Sequence, residues 1–221
     1  MIPWSPIGTA RAPGGGELRL MRRGGEFSIM LGGSELMNSR LGGSEAALAI
    51  IACQRLGSRE PRVLIGGLGM GFTLRAALAV LTADASITVA ELVPAVVAWA
   101  RGPMAEVLGG CLDDPRVGLL EADVGDLIRS ARSAYDAILL DVDNGPEGLT
   151  RQANDALYDL PGLHAARAAL RPAGVLAIWS SAADRNFPRR LRRAGFDVDE
   201  VRAPARANGR GARHVIWIAS K

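Results

Sequence analysis

The sequence predicts an α/β fold, in which a Rossmann-like sheet of seven strands carries helices on both faces and follows a small N-terminal β-hairpin appendage. From residue 62 onward, short apolar runs alternate with segments of helical periodicity, which is typical of a mostly parallel sheet. The last two strand-like segments are joined without a helix, so we expect the final strand to run antiparallel. A chain of 221 residues suits one such domain with a short appendage.

The N-terminal region is predicted to consist of an irregular segment followed by a β-hairpin. Residues 1–16 contain three Pro and four Gly, so we expect them to lack regular structure. Apolar residues alternate weakly over Glu17–Met37, with two Gly-Gly pairs as turns. Ser44 is the expected N-cap of an apolar helix that reaches Leu56. We therefore divide the chain into an extension, 1–43, and a main domain, 44–221.

The main domain is predicted to alternate between strands and helices. Its strands are short runs rich in Val, Ile and Leu, expected at Arg62–Ile65, Ser86–Glu91, Val117–Ala122, Tyr135–Asp141, Gly174–Ser180, Phe196–Arg202 and His214–Ala219. Helical periodicity, with proline in the first turn of one helix, is found at Thr73–Leu81, Pro94–Leu108, Val124–Arg132, Asn154–Leu170 and Phe187–Ala194. We expect the helix over Asn154–Leu170 to be broken near Pro161-Gly162.

The composition excludes several kinds of site. The only lysine is Lys221, which rules out a phosphate-loop lysine and an internal Schiff-base lysine. The histidines (His164 and His214) and the cysteines (Cys53 and Cys111) show no metal-ligand spacing, so we expect neither a metal ion nor a disulfide.

The distribution of apolar and charged residues predicts a soluble cytoplasmic protein. The longest apolar run, Ala46–Cys53, is shorter than the roughly 20 residues that cross a bilayer, and no signal-peptide pattern opens the chain. Residues 185–221 carry ten basic and three acidic side chains. Because few aromatic residues interleave with these cations, we interpret the segment as solvated and expect no nucleic-acid partner.

A glycine-rich loop follows the first strand of the main domain. Gly67, Gly69 and Gly71 are spaced GxGxG, which differs from the GxGxxG of dinucleotide-binding proteins and is typical of AdoMet-dependent methyltransferases. Glycines there allow a tight turn and a close approach to a ligand. The alternative is a turn that only packs the strand on the helix.

Acidic residues end the next two strands. Glu91 is placed to accept hydrogen bonds from both ribose hydroxyls of an adenosyl ligand, or it is simply a solvated acid. Asp123 is placed to accept the adenine amino proton, while the Val124 amide meets a ring nitrogen. Asp123 also fits the N-cap of the following helix, and the two roles do not exclude each other.

Two acids follow the fourth strand, where ligands of open α/β sheets bind. Asp141 and Asp143 can face a cationic or amine substrate, and one can act as general base because an amine nucleophile must lose a proton. A polar loop without function is the alternative. Tyr158 lies close enough in sequence to line the same pocket.

These motifs resemble the spermidine synthase-like branch of the class I AdoMet-dependent methyltransferases, from about Gly32 to Trp179. The resemblance is carried by Val63–Arg75, Val89–Pro94, Asp113–Val117, Asp123, Leu139–Asp141, Gly145-Pro146 and Leu170–Leu176. It implies a seven-stranded sheet, a β-appendage and a site for AdoMet or its decarboxylated form. It also places Asp141 at the catalytic acid and, more loosely, Asp143 at a substrate-binding acid.

Aminopropyltransferases of this kind transfer the aminopropyl group of decarboxylated AdoMet to putrescine. Here Met70 stands where we place an aspartate of their glycine loop, and Leu48-Ala49-Ile50 stands where they carry Tyr, His and Glu. We therefore expect a homodimeric transferase that binds AdoMet and methylates a small-molecule nucleophile, with an amine as the candidate. The alternatives are aminopropyl transfer from decarboxylated AdoMet and a non-catalytic partner or regulatory module with the same fold.

Overall fold

The computed structural model describes residues 2–12, 15–142 and 156–221. Within these ranges the chain forms two sheets. The N-terminal sheet consists of β1 (Ser5–Arg11), β2 (Glu17–Arg23), β3 (Glu26–Leu31) and β4 (Ser34–Asn38). The main sheet consists of β5 (Arg62–Gly66), β6 (Ser86–Glu91), β7 (Val117–Glu121), β8 (Tyr135–Leu140), β9 (Leu170–Ser180), β10 (Asp197–Pro204) and β11 (Arg213–Ser220).

The helices that cover the main sheet are α1 (Gly43–Cys53), α2 (Phe72–Val80), α3 (Pro94–Arg101), α4 (Ala105–Leu108), α5 (Val124–Ser130), α6 (Leu160–Ala169) and α7 (Phe187–Arg193). A 3₁₀ turn spans Cys111–Asp113. None of the helices in the described ranges combines the length and the apolar composition that crossing a bilayer requires.

The main sheet has the strand order β10-β11-β9-β8-β5-β6-β7. The strands β7, β6, β5, β8 and β9 are parallel, whereas β11 runs antiparallel to both of its neighbours, β9 and β10. The predicted Rossmann-like sheet with an antiparallel last strand is therefore confirmed. The prediction was most accurate for β6, whose observed bounds coincide with the predicted ones.

The N-terminal appendage is a four-stranded antiparallel sheet, larger than the predicted hairpin. Residues 5–11, expected to be irregular, form the edge strand β1, which pairs with β2 through a bulge. Its side chains are mostly exposed, so no alternation of apolar residues marked it as a strand. Gly8 of β1 lies against the indole of Trp99 on α3, which ties this strand to the main domain.

Three helix predictions need correction. Ser44 is not the N-cap of α1, because Gly42 occupies that position and the Ser44 hydroxyl is bonded elsewhere. The helix predicted over Pro94–Leu108 divides into α3 and α4, since Pro103 disfavours helical backbone at the preceding Gly102. The helix predicted over Asn154–Leu170 with a break near Pro161-Gly162 is described from residue 156, and the break lies at Asp159, whose side chain caps α6 after the helical residues 156–158.

Two hydrophobic cores lie on opposite faces of the main sheet. Alternate residues of β5 serve both, with Val63 and Ile65 in the first core and Leu64 in the second. The first core includes side chains of α1, α2 and α3 and also Leu20 and Ile29 of the N-terminal sheet. The two sheets therefore share one core, and the division of the chain after residue 43 stays a prediction.

Candidate functional site

A cavity, called the first cavity, lies at the carboxyl ends of β5, β6, β7 and β8, beneath the N-terminal sheet. On the side of the main sheet it is lined by Gly67, Gly69, Ala90, Glu91, Leu92, Val93, Val96, Ala122, Asp123, Val124, Asp141 and Val142. Its roof consists of Ala12, Leu18, Ile29, Leu31, Leu36 and Met37. The structure thus brings most of the residues that we assigned to a cofactor to one cavity.

The glycine loop joins β5 to α2 with left-handed backbone at Gly67, Gly69 and Gly71, whose φ angles are 89°, 50° and 74°. A Cβ on Gly67 would collide with the carbonyl oxygen of Asp141, so the two strand ends touch through this glycine. Gly71 supports the turn from the side of α2, where its α-carbon packs against Leu108. Only Gly67 and Gly69 of the three line the first cavity.

Glu91 is a buried acid at the end of β6, with 8% of its surface exposed. Its Oε2 accepts a hydrogen bond from the Leu68 amide at 3.0 Å and its Oε1 accepts one from the Val93 amide at 2.9 Å. Burial raises the pKa of Glu91, and the amide donors oppose that rise. Because each carboxylate oxygen has a further lone pair, both can still accept a hydroxyl from a ligand.

The position of Asp123 is compatible with both roles considered for it, the N-cap of α5 and the acceptor for the adenine amino group. Its Oδ1 accepts a hydrogen bond from the Gly125 amide at 2.7 Å, which caps α5, and its side chain also lines the first cavity. Val124 follows it in the cavity wall and packs against the α-carbon of Gly66. A mixed wall of acids and apolar side chains, with a glycine cradle beside it, fits an adenosyl group.

A second cavity adjoins the first and shares Leu36, Met37, Gly69 and Asp141 with it. It is also lined by Glu45, Leu68, Met70, Phe72 and Trp179. The two cavities therefore meet at the glycine loop and at one carboxylate.

Two carboxyl groups face this second cavity from different elements. The Oδ2 of Asp141 accepts a hydrogen bond from the Thr73 hydroxyl at 2.6 Å. Burial and the charge of Glu45 raise the pKa of Asp141 to about 7, although the bond from Thr73 opposes the rise. Burial also raises the pKa of Glu45. A pair of acids in such an apolar cavity can take up a proton near neutral pH and can attract an ammonium group.

Glu45 lines the second cavity but was not among the residues predicted for the site. Leu48-Ala49-Ile50 stands where the family carries Tyr, His and Glu, but Leu48 and Ala49 are fully buried in the first core. The residue of α1 that faces the cavity is Glu45, in the first turn of the helix. Acids are common in first turns because they interact favourably with the helix dipole, so Glu45 gave no distinct signal in the sequence.

Of the two predicted substrate residues, only Tyr158 lies within the described ranges, and it is not brought to the cavities. Asp143 lies outside the described residues. Tyr158 is buried in the second core, with 1% of its surface exposed, and its ring meets Phe187 edge-on at 5.9 Å between centroids. It is not among the described residues that line either cavity. Across the described ranges, no group of three or more His, Cys, Asp and Glu side chains is placed to hold a metal ion.

Comparisons with known proteins relate the chain to enzymes that act on polyamines. It is 34% identical over 128 residues to polyamine aminopropyltransferase 1 of Streptomyces coelicolor and 35% identical over 124 residues to polyamine aminopropyltransferase 2 of Pseudomonas aeruginosa. The matches span 57% and 54% of this chain but only 23% and 33% of the two relatives. No family model matches the chain.

Solved structures extend the likeness to nearly the whole chain. A spermidine synthase in complex with the transition-state analogue AdoDATO superposes with a TM-score of 0.76 at 19% identity, covering 98% of this chain and 72% of that one. The spermidine synthase of Thermotoga maritima gives 0.75 at 18% identity, with the same coverage. A probable spermidine synthase of Corynebacterium glutamicum gives 0.67 at 18% identity and covers 98% and 81%.

The resemblance found in the motifs is therefore confirmed. The chain has a spermidine synthase-like fold and is homologous to polyamine aminopropyltransferases over more than half of its length. The expectation of methyl transfer gains no support from these comparisons, which favour the aminopropyl alternative.

Proposed function

We propose that this protein transfers an aminopropyl group from decarboxylated AdoMet to an amine. The observation that carries the proposal is the acid pair of Glu45 and Asp141 in a cavity that adjoins the glycine loop. This arrangement supplies what the reaction needs, namely a place for an adenosyl donor next to a place for a cationic acceptor. The homology to polyamine aminopropyltransferases supports it.

The donor would occupy the first cavity. Gly67 and Gly69 allow its sulfonium end to approach the backbone, and Glu91 would hold the ribose hydroxyls. Asp123 and the Val124 amide would hold the adenine. The donor supplies the electrophilic carbon of a sulfonium, and the residues of the chain position it for attack from the second cavity.

The charges around the two cavities favour the decarboxylated donor over AdoMet. The described residues that line them include the acids Glu45, Glu91, Asp123 and Asp141, and no lysine, arginine or histidine. The α-carboxylate of AdoMet would meet these acids without a compensating cation. The ammonium group of an aminopropyl chain would instead be attracted by them. The neutral Met70, which we first interpreted in favour of AdoMet, contributes an apolar wall and no charge.

The acceptor would be an aliphatic amine in the second cavity. Glu45 and Asp141 would attract its ammonium form, and Asp141 would take the proton that the nitrogen loses before it attacks. Leu68, Met70, Phe72 and Trp179 provide the apolar surface for its carbon chain. A homodimeric assembly and a cytoplasmic location complete the proposal.

Product analysis by mass spectrometry tests the donor and the chemistry together. The purified protein is incubated with decarboxylated AdoMet or AdoMet and with putrescine, cadaverine or propylamine. We expect 5′-methylthioadenosine and an aminopropylated amine from the decarboxylated donor. S-adenosylhomocysteine and a methylated amine from AdoMet would refute the proposal. Tight binding of methylthioadenosine without any product would support the non-catalytic alternative.

A further inference from the structure

The hydroxyl of Ser44 connects the second cavity to the last strand of the main sheet. Its Oγ lies 2.7 Å from Oε2 of Glu45, 2.8 Å from Nδ1 of His214 and 3.0 Å from Nε1 of Trp179. Ser44 has no exposed surface, so its hydrogen bonds must all be formed within the protein. These three contacts come from α1, β11 and β9 and are independent of the glycine loop.

The hydrogen-bonding capacity of Ser44 restricts how its neighbours are protonated. A serine hydroxyl donates one hydrogen bond and accepts two, and the indole N–H of Trp179 can only donate. After the bond from Trp179, Ser44 has one lone pair and its hydroxyl proton left for hydrogen bonds with Glu45 and His214. An ionised Glu45 takes the hydroxyl proton, so His214 must donate from Nδ1. A protonated Glu45 donates to Ser44, whose proton then turns to an unprotonated Nδ1 of His214.

We propose that Ser44 and His214 form a relay that lets Glu45 take up and release a proton in the acceptor cavity, with His214 changing its tautomer each time. Every buried polar group of the relay then has a hydrogen-bond partner in both protonation states of Glu45. His214 is a positioning residue in this scheme, because it acts on the cavity only through Ser44.

The proton balance of the relay is complete. The proton comes from a hydronium ion of the solvent in the cavity, whose O–H bond breaks, and an O–H bond forms on Glu45. The hydroxyl hydrogen of Ser44 rotates toward His214, which loses its Nδ1 proton to water and gains one at Nε2. The half-buried position of His214 permits that exchange. The steps reverse when Glu45 releases its proton. None of these steps needs the amine or the adenosyl donor of the proposed function.

The groups around Glu45 are compatible with this exchange. Asp141 faces it from the end of β8, while Thr73 of α2 and Trp179 of β9 are neutral. Among the described residues, no cation contributes to the shift in the pKa of Glu45. Burial lowers the pKa of His214, so its imidazole is neutral at pH 7 and can adopt either tautomer.

Variants of the relay should shift the pKa of Glu45 in opposite directions. His214→Phe keeps the edge-on ring contact with Trp179, which measures 4.8 Å, but cannot accept the Ser44 proton. Because a protonated Glu45 would then leave that hydroxyl unbonded, we expect its pKa to fall by about one unit. Ser44→Ala removes the donor to the ionised carboxylate and should raise the pKa. His214→Asn is the matched control, since its amide can donate or accept, and should leave the pKa within about 0.3 units.

The measurement is a pH titration by ¹³C NMR of protein labelled at the glutamate carboxyl carbons, with Glu45→Gln to assign the signal. Equal pKa values in the wild type and in His214→Phe, or shifts of the same sign in His214→Phe and Ser44→Ala, would overturn the relay. A shift in His214→Asn as large as that in His214→Phe would overturn it as well.

A titration of the wild type tests the relay without any substitution. The ¹⁵N shifts of His214 should report the Nδ1–H tautomer above the midpoint of Glu45 and the Nε2–H tautomer below it. His164 is the only other histidine, which makes the assignment simple. A tautomer that stays fixed through this midpoint contradicts the relay. Neither titration contains an amine or an adenosyl donor, so the relay and the proposed transfer stand or fall separately.

Discussion

The hydroxyl of Thr73 donates a hydrogen bond to Oδ2 of Asp141 at 2.6 Å and lies 3.3 Å from the carbonyl oxygen of Glu45. One residue therefore contacts the side chain of one cavity acid and the main chain of the other. Because Thr73 is in the first turn of α2, directly after the glycine loop, the loop assigned to the donor also orients the acid assigned to the acceptor.

Replacing Asp141 should slow transfer without weakening donor binding. Asp141→Asn keeps the size of the side chain and an oxygen for the Thr73 hydroxyl, but it can no longer take a proton from the amine. We expect kcat to fall by about 10²- to 10⁴-fold. Methylthioadenosine should still bind with unchanged affinity in calorimetry. Asp126→Asn, at an exposed acid of α5, is the control and should keep full activity.

The raised pKa of Asp141 predicts how stability depends on pH. Its folded-state pKa of about 7 lies above its ordinary value of 3.8, so the neutral carboxyl is favoured in the folded protein. This contribution to stability is complete below about pH 4 and is lost as the pH rises through about 7. As the pH rises from 5 to 8, the unfolding free energy of the wild type should therefore fall by on the order of 1–3 kcal/mol relative to that of Asp141→Asn. Urea unfolding measures it, and a difference independent of pH would contradict the assignment.

Glu91 is expected to decide whether the adenosyl group binds. Methylthioadenosine at 100 times its Kd should stabilise the wild type by about 2.7 kcal/mol, which a thermal-shift assay detects. Glu91→Ala should remove this shift and also lower the stability of the free protein, because the Leu68 and Val93 amides lose their acceptor. Glu121→Ala, at the exposed residue that pairs with Glu91 on β7, should keep the shift. An undiminished shift in Glu91→Ala would refute the ribose assignment.

The glycine loop should tolerate no side chain at Gly67. Its φ of 89° disfavours other residues, and a Cβ would collide with the carbonyl oxygen of Asp141. We expect Gly67→Ala to lose on the order of 2 kcal/mol or more in unfolding free energy. Gly118→Ala serves as the control, because that glycine has an ordinary backbone and open space around it, and should change stability by less than about 1 kcal/mol. Equal losses in the two variants would contradict this account of the loop.

Strands and helices could be predicted from the sequence where their buried residues recur at a regular spacing. The turn after β5 could be predicted because β5 is a continuous apolar run and a sharp turn needs glycine. The bounds of β6 were predicted correctly as well. The edge strand β1 was missed, since its exposed side chains have no pattern to detect.

Glu45 was missed for a different reason. Its neighbours in sequence place it at the start of a helix, and only the packing of α1 against α2 and β9 brings it to the cavity of Asp141. The same holds for His214, which meets Ser44 only because β11 returns antiparallel beside β9. Residue spacing along the chain carries no information about such contacts.

The roof of the first cavity has a consequence for how the N-terminal sheet is held. The cavity lies between Leu18 and Ile29 above and the strand ends of the main sheet below. A molecule bound there contacts both, so its binding free energy also strengthens the association of the two sheets. The amides of β2 and β3 should then exchange their hydrogens more slowly when the cavity is filled, although no residue that we assign to the adenosyl group belongs to those strands. The local stability of the N-terminal sheet should therefore rise with the concentration of any ligand that fills the first cavity.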